Sequence, residues 1–328
     1  MKEKEEGQMK KYDVIALGEL LIDFIQNGIS EQGTLLFEAN PGGAPCNLLS
    51  MLAKLGHKTA FIGKVGKDSF GKKLQEVLAQ VGIDTAYLAR DEEVPTTLAL
   101  VHILPDGDRD FSFYRNPGAD MRLTKEEIPK EVIEDSKIFH FGTLSMTHEG
   151  VREATKKALK MAKEARIMIS FDPNLRPPLW ENLEVARKQV LYGLKFCDIL
   201  KISDNEIQWL TGEEDYTLGV QWILQRYQIP LILVSMGREG SRAHYKGEMV
   251  EVPAFLQKNT IDTTGAGDTF GGCILHFICE YGLENLTKEQ LKEMLRFANA
   301  AAAIVTTRKG ALGVMPTKEE IENLMKLS

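Results

Sequence analysis

The chain has 328 residues, of which 43% are hydrophobic and 27% charged. That is ordinary globular composition, and it excludes a disordered, collagen-like or disulfide-stapled protein. A net charge of -7 excludes a basic nucleic-acid binder, so any anionic ligand needs local positive features to hold it.

Residues 1–11 mix charges without an apolar segment. They predict a disordered tail rather than a signal peptide, followed by one domain over 12–328. Near-continuous apolar runs at Tyr12–Leu17, 59–65, 138–141, 167–171, 198–202 and Leu231–Ser235 have the length of strands buried on both faces. Helical patterns at 44–55, 69–81, 151–165, Leu183–Leu194 and 216–227 alternate with them. This alternation predicts an α/β fold: a doubly wound, mostly parallel sheet flanked by helices. Two further stretches, 21–40 and 96–115, are strand-like without a crossover helix, and Pro105-Asp106-Gly107-Asp108 is a turn signal inside the second. They predict a small β-sheet from segments near 21–40 and 96–120, either a lid over the parallel strands or an ordinary edge hairpin. Their open edges predict a homodimer paired through them. No run of 18 apolar residues predicts a membrane span. Cys46, Cys197, Cys273 and Cys279 form no CxxC pair and read as reduced thiols of a cytoplasmic protein.

The strongest motif is the stretch from Asp262 to Gly272, Asp-Thr-Thr-Gly-Ala-Gly-Asp-Thr-Phe-Gly-Gly. Apolar residues at helical spacing follow it, so Gly265, Ala266 and Gly267 stand where a loop enters a helix. Small residues there let backbone N–H groups approach an oxyanion, with the helix dipole adding positive potential. Asp268 falls in the first turn, where that field favours an ionised carboxylate able to accept a proton. The plainer alternative is a glycine-rich helix start with Asp268 as its cap. Gly66 to Lys73 nearly matches a phosphate-binding P-loop, but Lys73 stands where a Ser or Thr is needed. Phe270 replaces the third glycine of a dinucleotide fingerprint.

A second cluster, Asn40 to Asn47, puts Gly42 and Gly43 at another helix entrance. Asn47 there offers an amide suited to neighbouring hydroxyls. Asp172-Pro173-Asn174-Leu175-Arg176 follows a strand directly, where open α/β sheets bind ligands, and Asp23 follows the first strand. Glu206 is the carboxylate best placed to hold Mg²⁺ through water, against the commoner reading of an exposed helical Glu. Ser235 to Gly240 ends another strand with two glycines and suits the border of a nucleotide.

These motifs resemble those of the ribokinase-like sugar kinases of the PfkB family, nearly end to end. Gly42 to Asn47 resembles the first family signature and Asp262 to Gly272 the second. Gly18 to Phe24, Phe61 to Gly66, Phe113 to Met121 and Asp172 to Trp180 resemble fructokinases most. The resemblance implies ATP- and Mg²⁺-dependent phosphorylation of the primary hydroxyl of fructose, giving fructose 6-phosphate. The alternatives are a kinase for 2-keto-3-deoxygluconate or a riboside, and a non-catalytic sugar or nucleotide sensor. It implies Asp268 as base, Gly265, Ala266 and Gly267 as anion hole, and Arg176 on the transferred phosphoryl or the substrate. Asp23, Gly42, Gly43 and Asn47 would hold sugar hydroxyls, with Arg115 entering from the lid. Ser203, Ser235, Gly237, Gly240, Gly265, Gly267 and Asn299 would line the nucleotide site, and Glu206 would hold Mg²⁺ through water. Asp262, Thr264, Val305, Arg308 and Gly310 match a monovalent-cation loop, implying stimulation by K⁺. Ser203 stands where the family carries Asn.

Overall fold

The structure, a computed structural model, describes residues 10–103 and 109–327. The tail over 1–9 and the turn at Pro105 to Asp108 lie outside the described residues. The chain runs β1 (Tyr12–Leu17), β2 (Leu21–Ile29), β3 (Leu35–Gly42), α1 (Ala44–Lys54), β4 (Thr59–Gly66), α2 (Ser69–Gln80), β5 (Ile83–Asp84) and β6 (Leu88–Asp91). It continues through β7 (Leu98–Ile103), β8 (Arg109–Tyr114), α3 (Lys130–Glu134), β9 (Ser136–Gly142), α4 (Glu149–Glu164), β10 (Met168–Asp172), α5 (Leu183–Leu194) and β11 (Ile199–Ser203). Then come α6 (Asp204–Thr211), α7 (Tyr216–Leu224), β12 (Leu231–Ser235), β13 (Ser241–Tyr245), β14 (Glu248–Val252), α8 (Ala266–Tyr281), α9 (Lys288–Val305) and α10 (Lys318–Lys326).

The large sheet has the order β14-β13-β12-β11-β10-β9-β1-β4-β5, with β6 also on β4. From β12 across to β5 every pairing is parallel. Side chains alternate across each strand, so both faces must be covered. Val14 and Ala16 pack with Leu49, Phe270 and Leu295 from α1, α8 and α9. Ile15 and Leu17 pack on the other face with Ala154, Val190 and Ile207 from α4, α5 and α6. This is the doubly wound fold the sequence predicts. Strand order turns outward in both directions from β1 and β9, and beyond the carboxyl ends of strands at such a point a crevice opens.

The near-P-loop segment is the end of β4 and the start of α2, where Asp68 caps the helix by accepting the Gly71 N–H at 2.8 Å. The two irregular stretches form a separate four-stranded sheet, β3-β2-β7-β8. It is mixed: β2 pairs antiparallel with β3 and parallel with β7. The chain passes from the large sheet to the small one within Gly18-Glu19-Leu20, between β1 and β2. No described helix is long and apolar enough to cross a membrane.

Candidate functional site

The site is assembled from the ends of four elements. Helix α8 starts at Gly265, whose φ of 76° is left-handed and which a Cβ would drive into Ala311. Asp268 sits in the first turn but is not a cap, because Gly265 is the N-cap residue. Its carboxylate instead accepts two side-chain amides, Asn47 Nδ2 at 2.8 Å from α1 and Asn174 Nδ2 at 3.3 Å from the loop after β10. Arg176 Nη1 in turn donates to Asn174 Oδ1 at 2.7 Å. Lys201, on β11, pairs with Asp172 at 3.0 Å, both being largely buried.

Burial pushes the Asp268 carboxyl up to about 6, helped by the nearby Asp172 charge and opposed by the Asn47 amide, Lys201 and Arg176. The helix field therefore does not keep the carboxyl at its ordinary value, although at about 6 it is still mostly ionised at neutral pH. Desolvation outweighs the dipole, which acts on a carboxyl enclosed by protein. Lys201 goes the other way: burial alone would lower it, but Asp172 and Glu206 hold it above its ordinary value.

Two clefts meet at the start of α8. One, of about 410 Å³, is lined by Asp23, Gly43, Asn47, Arg176, Lys201 and Asp268, with Gly265 and Gly267 on its wall. The other, of about 470 Å³, is lined by Gly237, Phe255, Ala266, Asn299 and Ala302. Thr263 borders both. The turn from Thr263 to Gly267 is therefore the partition between them. Two larger cavities, of about 650 and 670 Å³, open near the amino ends of the parallel strands and hold none of the expected residues.

A model of the pfkB family of carbohydrate kinases matches residues 11–318. The chain belongs to that family. It is 40% identical over 316 residues to a protein named probable fructokinase-2 from Arabidopsis thaliana, covering 96% of each. A fructokinase from Xylella fastidiosa with bound ATP superposes with a TM-score of 0.88 at 32% identity, covering 97% of this chain and 99% of that one. A double mutant of the fructokinase from Vibrio cholerae O395, bound to fructose, ADP and a potassium ion, gives 0.86 at 28% identity, over 97% and 100%.

Within this carbohydrate kinase several expected residues play other parts. Gly42 does not line the first cleft, and a Cβ there would strike the Asp23 carboxylate. Arg115 does not reach in from the small sheet. It is buried, pairs with Asp120 at 2.6 Å, and donates to Thr147 Oγ1 and the Leu144 carbonyl. A guanidinium held in this way lines neither cleft. Asn299 borders the second cleft, yet its amide is tied to Ser241 Oγ and the Val252 and Pro253 carbonyls. Ser203, Ser235 and Gly240 line neither cleft. Ser203 caps α6 in a reciprocal pair with Glu206, and Gly240 has no room for a Cβ beside the Val252 carbonyl.

Glu206 is half-buried rather than exposed. One oxygen accepts the Leu175 N–H at 2.7 Å and the other the Ser203 N–H at 2.8 Å. It thus ties the 172–176 loop to α6. Asp262 likewise ties two loops, accepting the N–H of Thr264 at 2.7 Å and of Gly310 at 3.3 Å. Arg308 is engaged through its side chain with the Val314 carbonyl and Glu320, and the Val305 carbonyl accepts its N–H.

Sequence reasoning missed Glu19, Asn174 and Lys201 as lining residues of the first cleft. A signal existed for Lys201: a charge inside an apolar strand run must be paired or functional.

Proposed function

We propose that this chain is a fructokinase, moving the γ-phosphoryl group of ATP to the primary hydroxyl of fructose to give fructose 6-phosphate. The observation that carries this reading is the α8 start as partition, with a carboxylate of raised pKa on one side and a nucleotide-sized cleft on the other. Sugar would lie in the first cleft against Asp23, Gly43 and Asn47. The adenine end of ATP would lie against the apolar wall of the second. Asp268 would orient the attacking hydroxyl and accept its proton as the bond to phosphorus develops. The transition state of phosphoryl transfer is loose, so the protein chiefly positions reactants and neutralises spreading charge. Backbone donors at 265–267, the α8 dipole, Lys201 and Arg176 would supply that charge. Coupled ADP release across sugars tests the assignment: fructose should give the highest kcat/KM, above ribose, adenosine and 2-keto-3-deoxygluconate. A nucleoside or 2-keto-3-deoxygluconate ranking first would overturn the substrate and leave the kinase.

Mg²⁺ is part of this reading. No group of three acidic, His or Cys side chains among the described residues is set to cage a metal, which suits an ion arriving on ATP phosphates and keeping its waters. When bound it would neutralise the phosphate oxygens. Glu206 would face its water shell while holding the 172–176 loop. The Asp262 tie between the 262–265 turn and Gly310 fits a monovalent cation among Asp262, Thr264, Val305, Arg308 and Gly310. Arg308 could offer only its carbonyl, since its guanidinium is engaged. K⁺ would brace the anion hole, so turnover should rise when K⁺ replaces a bulky ammonium salt. Equal rates in the two would remove the cation.

The small sheet would serve as a lid: Asp23, Ile25, Val101 and Phe113 from β2, β7 and β8 line the first cleft. It also exposes Leu35 and Leu36 on edge strand β3 and Tyr114 on the opposite edge strand β8, and open edges of this kind suit a second copy of this chain. Light scattering should give a dimer at micromolar concentration; a monomer there would contradict it. Four unbridged cysteines fit a cytoplasmic location.

A further inference from the structure

Glu19 carries a buried carboxylate to which the mechanism above gives no part. It is 4% exposed and lies in the short link where the chain leaves β1 for β2. That link interlocks with the start of α1 at three points. Gly18 packs on the Pro45 ring, where a Cβ would sit 2.5 Å from Cγ. Gly43, at a φ of 134°, lies on the Glu19 carbonyl with no room for a Cβ. Glu19 Oε1 accepts the N–H of Ala44, the first residue of α1, at 2.9 Å. A carboxylate on an otherwise unpaired helix N–H makes a charge-assisted bond that also favours the helix dipole.

The same turn of α1 carries Asn47. Its Nδ2 holds Asp268, while its Oδ1 is buried with no hydrogen-bond partner. A buried acceptor left open costs stability unless something supplies a donor. Asn47 lines the first cleft, so a ligand hydroxyl can supply one. The placing of both ends of this amide follows from the first turn of α1, and that turn is held by Glu19.

We propose that Glu19 is a positioning residue for the sugar: its carboxylate fixes the first turn of α1 so that Asn47 offers its free oxygen to a substrate hydroxyl while its nitrogen holds Asp268. This deepens the sugar-kinase reading and rests on it. The charged and titratable groups around Glu19 come from several elements. Arg115 and Asp120 follow β8, Cys46 is on α1, and His140, Asp172 and Asp268 share a small closed pocket with it. Burial pushes Glu19 up to about 7, with Arg115 opposing and Asp120 assisting. Burial lowers His140 to about 3, so it stays neutral and does not compete as a cation. As pH falls through about 7, Glu19 gains a proton and its bond to Ala44 loses its charge. The KM for sugar should therefore rise on the acid side, in a limb separate from that of kcat.

The test uses full-length Glu19→Gln and Glu19→Ala, with the sugar that the ADP-release screen ranks first. Glu19→Gln keeps an oxygen for the Ala44 N–H but no charge. Its sugar KM should rise about tenfold, the equivalent of one weakened charged hydrogen bond. Its ATP KM should stay close to wild type, its kcat should fall by less than its sugar KM rises because Asn47 also holds Asp268, and its sugar KM should lose the limb near pH 7. Glu19→Ala should raise the sugar KM further and lower Tm. A Glu19→Gln enzyme with wild-type sugar KM at every pH would overturn the proposal. So would a Glu19→Ala enzyme that loses Tm while its sugar KM holds. A wild type inactive on every sugar would overturn the kinase reading first, before any variant is compared.

Discussion

Asp268→Asn should lower kcat by about 10²–10⁴-fold, the usual cost of removing a positioned base. Asn keeps the shape of the side chain but accepts no proton. ATP affinity should change little, because the backbone of Gly265, Ala266 and Gly267 is untouched. Sugar affinity should fall less than turnover, since Asp23 and Asn47 remain. The pH dependence gives a second readout. With the carboxyl pushed up to about 6, wild-type kcat should fall on the acid side of that value as the base becomes protonated. The residual activity of the Asn enzyme should lack this limb. Stability should move the other way. A carboxyl raised in the fold favours folding below its unfolded pKa of about 4 and loses that contribution as pH rises through about 6. At pH 8 the charged group is a burden, set in Asp268→Asn against the loss of one acceptor for the Asn47 and Asn174 amides, so the Tm of the variant relative to wild type should rise from pH 5 to pH 8. A variant retaining more than about a tenth of wild-type turnover, short of that range, would make Asp268 a structural residue and remove the base from the mechanism.

Lys201→Met should damage both stability and turnover, and a double variant separates the two. Lys201 and Asp172 are 12% and 8% exposed and 3.0 Å apart. Removing one partner of such a pair leaves a buried charge uncompensated, which typically costs about 3–5 kcal/mol. Turnover should fall by about 10²–10³-fold if Lys201 also meets the charge developing on the phosphoryl group, the cost of one preorganised donor. In Lys201→Met/Asp172→Asn the close partner of Lys201 is no longer stranded, Asp268 and Glu206 lose only a more distant cation, and the Asn174 N–H that Asp172 accepts at 3.1 Å still finds an amide oxygen. Tm should recover and turnover should not. Recovery of both would reduce Lys201 to a structural partner of Asp172.

The parts of this site that were legible in the sequence are those fixed by local chain geometry. Gly265 to Asp268 reads as a loop entering a helix because glycines and the apolar spacing after them say so. Asn47 reads the same way from Gly42-Gly43. The parallel strands β1, β4, β9, β10, β11 and β12 of the large sheet were legible because burial on both faces leaves apolar runs. Helices α9 and α10 and the β13–β14 hairpin were not picked out. Lys246-Gly247, with φ of 49° and 82°, forms the hairpin's two-residue turn, but Lys in a left-handed turn position is a weaker signal than Asn. Asn174, Lys201 and Glu19 were hidden for a different reason. Each acts across the fold on residues remote in sequence: Asn174 on Asp268, Lys201 on Asp172, Glu19 on Ala44. The raised pKa of Asp268 was hidden too, because a helix start is visible in sequence and the desolvation around it is not. Arg115 shows the reverse error. The family resemblance implied a cation entering the cleft, whereas Asp120, five residues on, draws it into the interior.

The central claim is phosphoryl transfer from ATP to the primary hydroxyl of fructose at the α8 partition. Phosphorus NMR of the wild-type enzyme with ATP, Mg²⁺ and fructose tests it most directly. The account predicts equal amounts of ADP and fructose 6-phosphate, with no inorganic phosphate from water attack. ADP formed with inorganic phosphate in place of a sugar phosphate, or no turnover on any sugar, would contradict it.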